Sequence, residues 1–182
     1  MSTSTAVPAT TGPTTQRGDA VALYQLPGHL IRRCHQIAVA LFFEECAAFD
    51  ITPQQYAVLR VLAANDGVDQ ITLAGLAAFN RTTAGEIVER LEGAGLVARR
   101  NSKLDRRTKN IFITETGRRL LADANAAVKR VQERLLIPLD RDERARFIEY
   151  LARIASENNE LSRAPLRPLA RGRGGKLTSG PA

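Results

Sequence analysis

Along most of this chain apolar residues recur at three- and four-residue spacing, and in one region they alternate instead. The first stripe, Leu30, Ile31, Cys34, Ile37, Ala38, Leu41 and Phe42, predicts a helix from about Gly28 to Ala48. Thr52-Pro53-Gln54-Gln55 reads as a capping box with proline at the first helical position. It opens a second helix with Tyr56, Leu59 and Leu62 inward, ended by Asn65-Asp66-Gly67. Asp69 can cap a short third helix carrying Leu73, Ala74 and Ala77; Asn80 can cap a fourth, from Arg81 to about Gly93, with Ile87, Val88 and Leu91 inward. After Gly95 the period changes. Ile111 and Ile113 fall on one face and Asn110, Phe112 and Thr114 on the other, which predicts two short strands joined by a tip. Thr114 can cap a long fifth helix through Leu120, Leu121, Ala124, Val128, Val131 and Leu135, broken by Pro138. A sixth, from about Asp142 to Glu160, carries Phe147, Ile148, Leu151, Ile154 and, just beyond, Leu161.

Two short helices joined by a few residues and followed by a hairpin make a winged helix-turn-helix. The expected fold class is therefore mainly α, a winged helix-turn-helix with long N- and C-terminal dimerisation helices. The expected organisation is a disordered tail over 1–22, a dimerisation helix over 23–50, a DNA-binding lobe over 51–117, C-terminal dimerisation helices over 118–161 and a basic disordered tail over 162–182. So small a central lobe cannot cover the apolar faces of the first and last helices, and burying them against a second copy solves that.

Charge sharpens the picture by where it sits. The chain has a formal net charge of +7. From Arg99 to Lys109 six cations stand against one acid, Asp105; Arg163, Arg167, Arg171, Arg173 and Lys176 in the last twenty residues face none. The remainder is net acidic. Basicity placed at two spots favours a polyanionic partner, and a half-buried hairpin with a cationic tip suits a nucleic-acid groove better than a substrate pocket. The N-terminal segment lacks the apolar core of a signal peptide, no apolar run approaches a membrane span, and two cysteines without a secretion signal fit a reducing compartment; the expected location is cytoplasmic, with no membrane partner.

The segments ITPQQYAVLRVL, LAGLAAFNRTTAGEIVERLEGAGLV and RRNSKLDRRTKNIFITETGRRLL resemble the MarR family of bacterial transcription regulators from about Ile51 to Leu121. The resemblance implies a homodimer that binds double-stranded DNA at a palindromic operator, usually represses, and lets go when a small ligand binds. It makes Arg81 to Gly93 the recognition helix, with Arg81, Thr82, Thr83, Glu86 and Arg90 toward DNA. Asp105 and Arg107 match the Asp-x-Arg wing motif, in which the carboxylate orients a guanidinium that enters the minor groove; Arg106 and Lys109 then lie along phosphates, and Lys103 adds to the DNA-facing charge of the tip. Three positions depart from the family pattern: Lys103 stands where proline is common, Glu86 where many members carry arginine, and Gly85 in place of threonine. Glu86 can accept a hydrogen bond from cytosine N4 but also repels phosphate.

In this family the ligand sits between the dimer helices and the DNA-binding lobe. Here His29, Arg32, Arg33 and His35, beside Phe42, Phe43 and Tyr56, suit an aromatic carboxylate or the phosphates of an aromatic acyl-CoA. LPGHLIRRCHQIAVALF is also similar to regulators of aromatic-acid catabolism, some of which answer to hydroxycinnamoyl-CoA thioesters. The alternative leaves Arg32 and Arg33 solvated, or paired with Glu44, Glu45 or the partner chain. Two rival functions stay open: a redox-sensing regulator working through Cys34 or Cys46, although both lie on or near an apolar stripe where a thiolate is disfavoured, and a sequence-nonspecific architectural DNA-binding protein. An enzyme is the poorest fit. With two histidines six residues apart and no nucleophile triad, metal-spaced cluster or glycine-rich phosphate loop, neither a metal nor a cofactor is expected.

Overall fold

Four side-chain caps, spaced along the chain, start the helices of the central lobe and the long helix after it. In the computed structural model, which describes residues 22–101 and 108–169, Thr52 Oγ1 accepts from Gln55 N while the Gln55 side chain accepts from Thr52 N, closing the expected capping box. Asp69 Oδ1 accepts from the main-chain N–H groups of Ile71 and Thr72, Asn80 Oδ1 from Thr83 N, and Thr114 Oγ1 from Gly117 N. Each satisfies donors that a helix start leaves orphaned. The elements are α1 (Pro27–Glu45), α2 (Pro53–Ala64), β1 (Val68–Asp69), α3 (Gln70–Leu76), α4 (Arg81–Gly93), β2 (Val97–Asn101), β3 (Lys109–Ile113), α5 (Glu115–Leu135) and α6 (Arg141–Glu157), with single 3-10 turns at Ala47–Phe49 and Asn159–Leu161. The first helix thus stops three residues short of its expected end and finishes as the first of those turns.

One core runs from the central lobe into the long helix after it. Leu59, Leu62, Leu73, Leu91 and Val88 are fully buried among α2, α3 and α4, and Ile111, Ile113, Leu121 and Val131 continue the same cluster under the sheet and along α5. Each such side chain contributes about 1.5–3 kcal/mol relative to exposure. The alternation in β3 is realised as expected, Ile111 and Ile113 buried and Asn110 and Phe112 half-buried.

The sheet, however, has three strands, in the order β1-β3-β2, all antiparallel. Val68 pairs with Ile111 and Asp69 with Asn110, while Val97, Arg99 and Asn101 of β2 pair with Ile113, Ile111 and Lys109. Two residues are too few to show a period, so β1 left no trace in the apolar pattern. Asp66 locks the arrangement: it accepts from Ile113 N at 2.9 Å and from Arg118 Nη2 at 2.8 Å.

α1 lies along α5, and the two are joined by ion pairs: Arg130 Nε to Glu45 at 2.6 Å, and Arg134 Nη1 to both Glu44 and Glu45 at 2.8 Å. Arg130, then Arg134, holds the Glu45 carboxyl below its ordinary value. Those glutamates are therefore engaged by α5 and not by Arg32 or Arg33. α6 contrasts with all the others, since none of its residues is buried; Ile148, Leu151 and Ile154 are 57%, 39% and 50% exposed.

The chain after α6 also departs from expectation. Composition assigned residues 162–182 to a disordered tail, yet Ser162 to Leu169 return to the central lobe, where Arg167 N donates to Gly75 O at 2.8 Å. Prolines and arginines make few apolar contacts, but backbone hydrogen bonds need none.

Candidate nucleic-acid interface

α4 divides cleanly. Ala84, Ile87, Val88 and Leu91 face the core, leaving Arg81, Thr82, Glu86, Glu89 and Arg90 exposed and Thr83 half-buried. Its first turn is set twice, by the Asn80 cap and by Gln70 of α3, whose Nε2 donates to Arg81 O at 3.3 Å. A Cβ at position 85 would lie 2.8 Å from that same amide nitrogen, so Gly85, the residue standing in place of threonine, makes room for Gln70. Between α2 and α4 runs a shallow groove of about 200 Å³ lined by Thr52, Gln54, Gln55, Thr83, Glu86, Ile87 and Arg90. Five of the ten expected DNA-facing residues thus share one helix, and four of them are exposed.

Beside α4, β2 and β3 carry the wing. Lys109 is exposed at the start of β3, opposite Asn101. Lys103, Asp105, Arg106 and Arg107 fall in 102–107, outside the described residues. Two cations of the hairpin are already engaged. Arg99 meets Glu92 of α4 through Nη1 at 2.9 Å, and its main-chain N–H donates to the other oxygen at 3.2 Å. Arg100 stacks over Phe112, 5.1 Å from the ring centroid. The charge offered to a partner is therefore smaller than the hairpin's own count, because the neutralising acid lies upstream in α4. Gln70, Asp66 and Glu92 were missed as positioning residues. Their roles depend on neighbours in space, and only the turn at Asp66 left a local mark.

The expected ligand residues are divided between two places. Arg32 and Arg33 are exposed near the start of α1, where Arg32 Nη1 donates to Gln36 at 3.1 Å. His29 packs edge-on to Tyr24, ring centroids 5.6 Å apart, and its Nε2 is enclosed without a hydrogen-bond partner among the described residues. Tyr56 packs on Phe42, ring centroids 6.0 Å apart. Thirteen residues of helix separate His29 from Phe42, or roughly 20 Å. Near the Phe42 end, Phe43, Cys46, Asp50, Ile51, Gln55 and Arg90 line an open cleft of about 430 Å³ between α1 and α4.

The cysteines differ. Cys34 is exposed, whereas Cys46 is buried, and burial followed by the neighbouring Glu45 carboxylate pushes its thiol up, away from the reactive thiolate. Among the described residues no group of three His, Cys, Asp or Glu side chains could hold a metal ion, and no helix is long and apolar enough to cross a membrane.

Comparison with known proteins agrees with this architecture. The MarR family profile matches residues 49–108. The transcriptional regulator HosA of Escherichia coli O157:H7 is 30% identical over 126 residues, which cover 69% of this chain and 92% of HosA. The transcriptional repressor CouR bound to a 23-mer DNA duplex superposes with a TM-score of 0.69 at 34% identity, covering 73% of this chain and 94% of that one. CouR bound to p-coumaroyl-CoA gives a TM-score of 0.70 at 31% identity over 79% of this chain and 99% of that one.

Proposed function

This chain belongs to the MarR family of transcription regulators, and we propose that within it the protein is a dimeric repressor released from a palindromic operator by an aromatic acyl-CoA. The observation that carries the reading is the exposed face of α4, with a basic hairpin beside it. In that reading Arg81 and the hydroxyls of Thr82 and Thr83 meet phosphates and base edges of the major groove, with Arg90 at the far end of the same face. Glu86 accepts from cytosine N4, a contact that discriminates against the other bases. Asp105 orients Arg107 into the minor groove, and Lys103, Arg106 and Lys109 hold phosphates of the flanking backbone.

About 14–15 Å of helix separates Arg32 and Arg33 from Phe42, and roughly 20 Å separates His29 from it, which bears on the effector. A small aromatic carboxylate cannot span such a gap, whereas a CoA thioester carries its phosphates far from its acyl group. His29, Arg32 and Arg33 would take the phosphates and the Tyr56 region the aromatic acyl end. CouR, bound to p-coumaroyl-CoA, supports the same class. Release follows if the bound effector favours a spacing of the two α4 helices that no longer matches major grooves about 34 Å apart.

Fluorescence anisotropy on the DNA upstream of the protein's own gene, against a scrambled duplex, tests the proposal, with p-coumaroyl-CoA and its free acid as probes. The expected result is selective binding relieved by the thioester and not by the acid. Equal binding to both duplexes would favour an architectural protein instead. Release by the free acid at equal concentration would overturn the acyl-CoA assignment.

A further inference from the structure

The return of the chain end to α3 is built from several interlocking bonds. At the 3-10 turn, Asn159 treats Leu166 as a strand would: its Oδ1 accepts from Leu166 N at 2.8 Å and its Nδ2 donates to Leu166 O at 3.2 Å. Ser162 Oγ accepts from Ala164 N at 3.1 Å and shapes the bend between them. Glu160 takes both terminal nitrogens of Arg167, one of them at 2.7 Å, in a two-pronged ion pair. With its side chain so fixed, Arg167 presents its main-chain N–H at 2.8 Å to Gly75 O, a carbonyl near the end of α3 that also accepts from Ala78 N at 3.3 Å in the closing turn. Gly75 admits this approach, since a Cβ there would sit 2.9 Å from Arg167 Cβ. α3 in turn sets the first turn of α4 through Gln70.

We propose that residues 159–167 are a strap by which the C-terminal helix α6 positions α3, and through Gln70 the recognition helix α4, relative to the dimer. Glu160, Arg167 and Gly75 are positioning residues: they touch no DNA in this reading and act through α3. The inference rests on the functional reading above in taking α4 to face DNA and α6 to lie at the dimer interface. The docking of the strap itself depends on neither.

Two truncations of the full chain separate the strap from the basic residues beyond it, one ending at Leu169 and one at Ser162. Hydrogen exchange reads the docking without DNA. Amides of α3 and of the first turn of α4 should exchange at least tenfold faster in the chain ending at Ser162 than in the chain ending at Leu169, with α2 and α5 unchanged. Operator affinity, measured by anisotropy, should fall fivefold or more between the same two chains at unchanged dimer mass. Glu160→Arg and Arg167→Glu should each reproduce part of both losses, and the double swap should restore them, a rescue that loss of packing alone would not give. Equal exchange in α3 and α4 with and without the strap overturns the proposal. If the full chain bound no operator, the functional reading would fall, and the exchange experiment would still decide whether the strap holds α3.

Discussion

The carboxylate of Asp69 shows how much one side chain can do at the head of a helix. It accepts from two main-chain N–H groups and, at 2.7 Å, from the hydroxyl of Thr72. Burial alone would raise its pKa; the Thr72 hydroxyl and the N–H groups of Thr72 and Ile71 outweigh that and leave the carboxyl below its ordinary value of 3.8. A carboxyl lowered in the folded state contributes stability above its ordinary pKa, and that contribution is lost as pH falls through the lowered one. Asp69→Ala should therefore cost about 1 kcal/mol near neutral pH by urea unfolding, and the gap to the wild type should close in acid. A gap that stayed constant into acid would mean that the cap works without its charge. Gly117 makes the complementary case. A Cβ there would collide with Leu96 O, so the glycine that ends the ITETG run is required by a backbone crossing above it. The sequence shows the residue; the reason stands in another element.

Among the elements, what was legible was what is written locally. Thr52, Asp69, Asn80 and Thr114 each cap the helix they precede, within three residues, and so α2 to α5 began where the sequence put them. Ile111 and Ile113 revealed the face of β3 in the same way. What needed a distant partner stayed hidden: β1, which exists only against β3; the Gln70 brace of α4; and Arg167 on Gly75. The candidate site followed the same division. The recognition-helix residues were found because one amphipathic helix displays them together, whereas the division of the ligand residues along α1 is a matter of length that residue types do not express. Glu92 belongs with the hidden set. It couples the end of α4 to the first wing strand and keeps one guanidinium out of circulation. For Glu92→Gln the expected outcome is a rise in binding to scrambled DNA with a steeper salt dependence, since Arg99 becomes available to phosphate. The preference for the operator should fall by at most about fivefold, in line with a partly exposed ion pair worth under ~1 kcal/mol. Anisotropy titrations of both duplexes across a salt series check this, and an unchanged salt slope would show Arg99 still engaged.

At the scale of the molecule the outstanding fact is apolar surface without cover among the described residues. Leu30, Ile31 and Ile37 of α1 are 45–49% exposed, and Ile148, Leu151 and Ile154 of α6 are 39–57% exposed, apolar faces of the kind that mark an interaction surface. A two-fold partner presenting the same faces would bury them. Leu151→Asp should then give a monomer by light scattering, with α2 to α4 retaining their helicity and operator affinity falling at least a hundredfold. A dimer that survived this substitution would place the interface elsewhere.

Those uncovered faces also bear on dosage. A fold completed by its twin has a melting temperature that climbs with protein concentration. Below the association midpoint, the operator-competent species grows as the square of the protomer supply, so halving that supply would cut it about fourfold, against about twofold for a monomeric binder. An exposed leucine on the last helix would thereby make the switch sensitive to how much of the protein the cell holds, independently of any effector.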